Sequence, residues 1–179
     1  MGGEKRWSAR RCVLISLLSA MALVAGVLES LFPLPFPGMR LGVANIFPLT
    51  ALLMYGPADA AAVAALRLCL AFFLSGSVFS LSCSAAGVML SLPVAIILRE
   101  KFSGDLSVPA ISVASAFAFN FGQVAAVVAM TGEPAIAVYL PLLLLAAALT
   151  GFAVGVLAEK LVDRLRRLSG NPANLKSKA

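Results

Sequence analysis

Long apolar stretches alternate with short polar or proline-containing segments along this chain of 179 residues. The stretch from Leu68 to Leu98, for example, carries no charge. A helix needs about 20 mostly apolar residues to cross the hydrocarbon core of a bilayer. The predicted spans cover about 12–31, 41–55, 58–75, 78–98, 108–130 and 135–162. The pattern therefore predicts an all-α, polytopic membrane protein with six transmembrane helices.

The segments between the spans divide the chain into three parts. Residues 1–11 are predicted to form a basic cytoplasmic segment, residues 12–162 the transmembrane domain, and residues 163–179 a basic cytoplasmic tail. Three prolines between Pro33 and Gly38 exclude regular helix there and predict a stiff, extended connection. The second span is short, and Pro48 is expected to interrupt it.

The composition agrees with lipid as the surrounding medium. Apolar residues make up 61% of the chain and the mean hydropathy is +0.99, whereas soluble domains contain about 45–50% apolar residues. Six spans with short connections leave no room for a soluble catalytic domain. The chain has no histidine, and its three cysteines show no CxxC spacing, so we expect no metal, no cofactor and no nucleic-acid partner.

The basic residues predict the orientation, because Lys and Arg concentrate on the cytoplasmic side of membrane proteins. Of the 14 basic residues, 12 precede span one, follow span six or separate spans four and five. Six spans with both termini in the cytoplasm of a bacterial inner membrane fit this distribution. A cleaved signal peptide ending near residues 20–22 is the alternative for the first span.

Arg67 lies in the middle of the third span. A charged side chain at this depth costs about 2.5–3.5 kcal/mol on insertion scales, so a partner or a wet cavity is needed to make it tolerable. Ala60, Ala64 and Ala71 share its side of the helix and leave space around it. A ligand contact is one interpretation, and an ion pair with Glu29 is the other.

Further polar residues lie at compatible depths in the spans or beside the proline-containing connection. Asn120 and Gln123 share one face of span five, because they are three residues apart. Together with Arg67, these groups are candidates for a binding pocket that opens outward, in which arginines supply charge and amides orient the ligand. Amides also bridge membrane helices without any ligand, so helix packing stays open as the alternative. The candidate substrate-binding residues are Glu29, Arg40, Asn45, Arg67, Asn120 and Gln123.

Two further sets of small residues admit two interpretations each. Ala22, Gly26 and Ser30 form a ridge at four-residue spacing, which suits close packing either inside the bundle or against a second protein. The serines around the third connection are either turn and N-cap formers or the lining of an outward vestibule. They are Ser75, Ser77, Ser80, Ser82 and Ser84.

Enzymatic motifs are missing from the sequence. There is no Walker A loop, GxSxG or HExxH, so the chain does not itself use ATP to drive transport. The eight acidic residues never form the paired aspartates that bind a magnesium–diphosphate group. We therefore expect a protein that is not an enzyme.

Four motifs carry a resemblance that covers residues 13–162. The motifs are Leu28-Glu29-Ser30, Pro37-Gly38-Met39-Arg40-Leu41-Gly42-Val43-Ala44-Asn45, Arg67 and Asn120-Phe121-Gly122-Gln123. On these motifs the chain resembles the Gx transporter family, also labelled heptaprenyl diphosphate synthase component I, and it is similar to the substrate-binding S components of energy-coupling factor (ECF) transporters. The family has a histidine before the asparagine of the last motif, where this chain has Phe119.

The resemblance implies a six-helix S-component fold that captures a small vitamin-like or cofactor-precursor molecule. It implies two kinds of partner, a transmembrane coupling protein and cytoplasmic ATPases. It also implies that Ala22 and Gly26 contact the coupling protein and that the first outer connection caps the substrate. Two rival hypotheses remain: a non-catalytic membrane subunit of a prenyl diphosphate synthase, and an ion-coupled carrier in which Glu29 titrates.

Overall fold

A computed structural model describes residues 9–30, 42–102 and 106–168 of the chain. Within these ranges the chain folds into six α-helices and contains no strand, which confirms the predicted all-α class. Two short 3₁₀ helices, Val43–Asn45 and Pro134–Tyr139, precede the second and the sixth α-helix. The α-helices are α1 (Ala9–Ser30), α2 (Ile46–Tyr55), α3 (Pro57–Ser75), α4 (Val78–Lys101), α5 (Val108–Thr131) and α6 (Leu140–Leu168).

Five of the described helices are long and apolar enough to cross a membrane, and α2 is the exception. At 1.5 Å per residue, the ten residues of α2 extend only about 15 Å, against a hydrocarbon core of about 30 Å. The chain is thus a multi-pass membrane protein whose second helix crosses only part of the bilayer. Because six helices alternate in direction, the start of α1 and the end of α6 lie at one end of the bundle, hereafter the terminal end.

The short helix α2 lies at the centre of the bundle. All residues from Ile46 to Leu52 are buried, in an apolar cluster that draws side chains from all six helices. The predicted interruption at Pro48 is wrong. Pro48 is the third residue of α2, where the N–H that proline lacks has no partner within an α-helix.

Helices α4, α5 and α6 pack closely because glycines stand where they cross. A Cβ added to Gly122 of α5 would lie 2.4 Å from the carbonyl oxygen of Ala86 in α4. One added to Gly155 of α6 would lie 2.4 Å from the Cα of Pro109 in α5. Both distances are shorter than atoms tolerate, so only glycine permits these crossings.

Polar groups tie the helices together at the terminal end. The guanidinium of Arg11 binds the carboxylate of Asp59 through two atoms, with Nε 2.8 Å from Oδ1 and Nη2 in contact with Oδ2. Asp59 is completely buried in the first turn of α3. On α4, Arg99 donates to the carbonyl oxygens of Leu52 and Leu53, in the last turn of α2. We call these side chains, Arg11, Asp59 and Arg99, the terminal layer.

Several helix ends differ from the predicted spans. Helix α1 begins at Ala9, inside the segment predicted as a cytoplasmic extension. Helix α4 continues to Lys101, beyond the predicted end of span four at residue 98, and α6 continues past Val162 to Leu168. At the C-terminal ends of α4 and α6, basic side chains do not interrupt the helix, because cations are favourable near a helix C-terminus.

Candidate functional site

Arg67 lies in the middle of α3 and is almost completely buried, with 1% of its surface exposed. Its Nη1 donates a hydrogen bond to Oδ1 of Asn45, over 3.3 Å. Asn45 ends the 3₁₀ helix that leads into α2, so this contact joins α3 to the entrance of α2. The structure therefore brings together two of the predicted site residues, and Arg67 faces the interior of the protein.

The backbone that carries Asn45 is held by Gly42 and Glu29. Gly42 has a φ of +87°, a left-handed conformation that glycine adopts without steric cost. Oε1 of Glu29 accepts hydrogen bonds from the N–H groups of Val43 and Ala44, the latter over 3.3 Å. A carboxylate is favourable there because the first N–H groups of a helix lack intrahelical partners. Glu29, a candidate ligand contact, thus orients the turn that presents Asn45.

The two amides of α5 lie on its buried face, as their spacing predicts. Asn120 is 2% exposed and Gln123 is 1% exposed. Nδ2 of Asn120 donates to the carbonyl oxygen of Ala116, over 3.0 Å. Gln123 lies the same number of residues before the end of α5 as Arg67 does before the end of α3. At 1.5 Å per residue, each residue lies about 12 Å from the end of its helix. We call Asn45, Arg67, Asn120 and Gln123, which occupy the half of the bundle away from the terminal end, the site layer.

Phe119 forms an aromatic wall beside this layer. Its ring is 1% exposed and lies against Gly42 and Gly87. A Cβ on Gly87 would come within 2.7 Å of the ring, and one on Gly42 would lie 3.7 Å from it and 3.3 Å from Nδ2 of Asn45. The position at which the resemblance implies a histidine therefore lies beside the site layer.

A cavity with polar walls adjoins Asn45 on the side of α5 and α6. Its accessible volume of about 10 Å³ matches about one water molecule. Sequence reasoning missed its three hydroxyl residues, although Ser112 and Ser115 extend the stripe of Asn120 along one face of α5. The lining residues are Gly42, Asn45, Leu49, Ser112, Ser115, Ala116, Thr150, Gly151 and Val154.

The remaining candidates are distributed as follows. Ala22 and Gly26 are buried inside the bundle, which is the first of the two interpretations of the small-residue ridge. Ser30 ends α1, and Arg40 lies outside the described residues. Ser77 caps α4 by accepting a hydrogen bond from the N–H of Ser80, as predicted for a capping residue.

No metal-ligand cluster occurs in the described part of the chain. Among residues 9–30, 42–102 and 106–168, no three His, Cys, Asp or Glu side chains come together as metal ligands do. The side chains of the site layer provide hydrogen bonds and a positive charge. Guanidinium N–H groups donate only, whereas amides both donate and accept, so the arrangement suits a ligand with oxygen acceptors.

A family model agrees with the resemblance that the motifs carry. The model of heptaprenyl diphosphate synthase component I matches residues 18–161, and this stretch contains the whole site layer. The chain belongs to this family. Comparisons with curated proteins and with solved structures give no match. The family label is thus confirmed, and similarity to ECF S components stays a prediction.

Proposed function

We propose that this protein is the substrate-binding membrane subunit of an ECF-type uptake transporter. It is not an enzyme. It captures a small vitamin-like or cofactor-precursor molecule and depends on a separate transmembrane coupling protein and on cytoplasmic ATPases for energy. The hydrogen bond between the buried Arg67 and Asn45, at the depth of two buried amides of α5, is the observation that carries this proposal.

The energetics favour a binding role for this layer. A guanidinium in the middle of the bilayer is costly, and such residues in membrane proteins mark substrate or ion pathways more often than packing sites. Arg67 carries five N–H donors in a planar fork, and its Nη1 donates to Asn45. An anionic or carbonyl-bearing ligand beside Arg67 would accept from this fork while the amides orient it.

The proposed orientation places both termini in the cytoplasm of a bacterial inner membrane. Exposed basic residues at the terminal end support it, among them Lys101, Lys160, Arg164 and Arg167, since basic residues favour the cytoplasmic side. In this orientation the site layer lies in the outer half of the bundle. A ligand from outside then has the shorter path to Arg67.

The second candidate is a non-catalytic membrane subunit of a prenyl diphosphate synthase. The description of the matching family, heptaprenyl diphosphate synthase component I, favours it. In that case the protein binds a soluble prenyl synthase at the membrane, and the buried polar layer serves helix packing. A self-contained ion-coupled carrier is a third case, which Glu29 would serve as the titrating group.

Partner identification separates these functions. Tagged full-length protein is purified from its native membrane in a mild detergent, and the associated proteins are identified by mass spectrometry. We expect a transmembrane coupling protein and ATPases. Recovery of a prenyl synthase without ATPases would overturn the transporter proposal in favour of the second candidate. Uptake that persists without any ATPase and collapses with the ion gradient would favour the carrier.

A further inference from the structure

Ser84 of α4 differs from the other hydroxyl residues inside the helices. Such hydroxyls usually donate to a backbone carbonyl three or four residues earlier, and seven of the described residues do so. Ser84 is 2% exposed, yet its Oγ makes no hydrogen bond within the described residues. A buried hydroxyl without a partner is unfavourable, so this position calls for an acceptor from outside the chain. The seven are Ser19, Thr50, Ser75, Ser91, Ser115, Thr131 and Thr150.

The position of Ser84 in α4 places it beside the site layer. Ser84 and Gly87 are three residues apart and share one face of the helix, and Gly87 contacts the ring of Phe119. A close approach of α4 to α5, between Ala86 and Gly122, lies within one turn of Ser84. This face of α4 is therefore directed at α5 and at the aromatic wall.

The depth of Ser84 also matches that of Arg67. The two helices α3 and α4 form a hairpin through Gly76 and Ser77, so depths are counted from their connected ends. At 1.5 Å per residue, Ser84 lies about 9 Å below Val78 and Arg67 about 12 Å below Ser75. The hydroxyl and the guanidinium thus differ in depth by less than one helical turn.

We propose that Ser84 is a further ligand-binding residue, whose hydroxyl donates a hydrogen bond to an oxygen of the ligand beside Arg67. The inference rests on the proposed binding function and narrows the class of ligand. Hydroxyl, guanidinium and amide donors in one layer suit a carboxylate or carbonyl oxygen. The ring of Phe119 suits an apolar, ring-containing body attached to it.

The test compares Ser84→Ala with Ser91→Ala. The probe is a small molecule that copurifies with the full-length parent protein and is lost from Arg67→Ala. Mass spectrometry detects and quantifies its ion. We expect Ser84→Ala to lower the occupancy at least tenfold, because one hydrogen bond to a charged or polar oxygen is lost. Ser91 donates to the carbonyl of Val88, so Ser91→Ala should retain the ion within about twofold.

A thermal measurement separates binding from folding. Since the Ser84→Ala change removes an unpaired buried hydroxyl, the ligand-free variant should unfold at the parent temperature or above it. A lower unfolding temperature with unchanged occupancy would assign the hydroxyl a structural role and overturn the inference. If Ser84→Ala cannot be purified, Ser84→Cys preserves the size with a weaker donor. It should lower the occupancy at least threefold, and retention at the parent level would contradict the inference.

The outcomes distinguish this inference from the proposed function. If Arg67→Ala loses the ion while Ser84→Ala retains it fully, Ser84 is not a ligand contact and the binding function stands. If no ion distinguishes the parent from Arg67→Ala, the binding function itself fails, and the assignment of Ser84 fails with it.

Discussion

The terminal layer and the site layer both contain arginines, and the hydrogen-bond acceptors of these arginines differ. In the terminal layer, Arg11 binds a carboxylate through two atoms and Arg99 binds two backbone carbonyls at the end of α2. In the site layer, Arg67 donates to the neutral amide oxygen of Asn45. A carboxylate and the carbonyls of a helix C-terminus attract a guanidinium by charge and dipole, whereas an amide oxygen is a neutral acceptor.

The difference separates a structural role from a binding role. Substitutions in the terminal layer should weaken the fold, because they remove an ion pair and hydrogen bonds that join helices. Substitutions at Arg67 should weaken ligand binding more than folding. The substitutions below test this separation in order of decreasing expected effect.

The largest loss of stability is expected for Asp59→Asn. The substitution keeps the shape of the side chain but removes the charge that Arg11 binds. Breaking a buried ion pair by removing one partner costs about 3 kcal/mol or more, and the partial exposure of Arg11 reduces this to about 2–3 kcal/mol. Denaturation in detergent measures the loss, with Glu100→Gln at an exposed acid as the control. An unchanged free energy of unfolding would show that the pair does not hold α1 to α3.

Gly122→Ala should destabilise the site layer through packing. The added methyl group would meet the carbonyl oxygen of Ala86 at 2.4 Å, and overpacking of this kind costs about 1–3 kcal/mol. Because α4 must move, the occupancy of the copurifying small molecule should fall as well. Ala125→Val, at an exposed position of the same helix, is the control. If Gly122→Ala is as stable as the parent protein, α4 and α5 do not cross as closely as described.

Arg99→Gln should cost about 1–2 kcal/mol, because the charge-assisted hydrogen bonds to Leu52 and Leu53 are lost. Lys101→Gln is the matched control, since Lys101 is an exposed basic residue at the end of the same helix. If Arg99→Gln still retains the small molecule, the terminal layer has a structural role and the site layer a binding role. If Arg99→Gln loses the molecule without losing stability, Arg99 has a binding role and not a structural one.

Glu29→Gln is expected to have the smallest effect on folding, about 1 kcal/mol or less, because the amide oxygen still accepts from the turn without the charge. The orientation of Asn45 should suffer slightly, with a severalfold lower occupancy of the small molecule. Uptake is measured with the same variant. If Glu29→Gln abolishes uptake while its stability and its occupancy equal those of the parent, the result would instead support an ion-coupled carrier.

Much of the fold could be predicted because lipid imposes a simple rule on the sequence. Apolar stretches of sufficient length predict the ends of the five long helices to within six residues. The central position of α2 could not be predicted, because a short apolar segment is equally typical of an interrupted span and a buried helix. The effect of Pro48 could not be predicted for a related reason. A proline interrupts a helix in its interior but not in its first turn, and the sequence alone does not show where α2 begins.

Part of the candidate site was also predictable from the residues. The cost of a charge in lipid singles out Arg67, and helical spacing groups Asn120 with Gln123. The contact of Glu29 with the backbone of Val43 and Ala44 is a tertiary contact between distant segments, which spacing along the chain does not predict. The role of Phe119 was missed because a buried ring in an apolar span is ordinary until Gly42 and Gly87 are seen on its two sides.

The most direct test of a binding role for Arg67 is the mass of small molecules that remain with the purified protein. Parent, Arg67→Ala and Arg99→Gln are purified from the same membranes in parallel, and their bound molecules are compared by mass spectrometry. We expect one species that is retained by the parent and by Arg99→Gln and is reduced tenfold to a hundredfold in folded Arg67→Ala, as the loss of a charge-assisted hydrogen bond implies. Equal retention by all three proteins, or no retained species in the parent, would contradict the proposal that Arg67 binds a ligand.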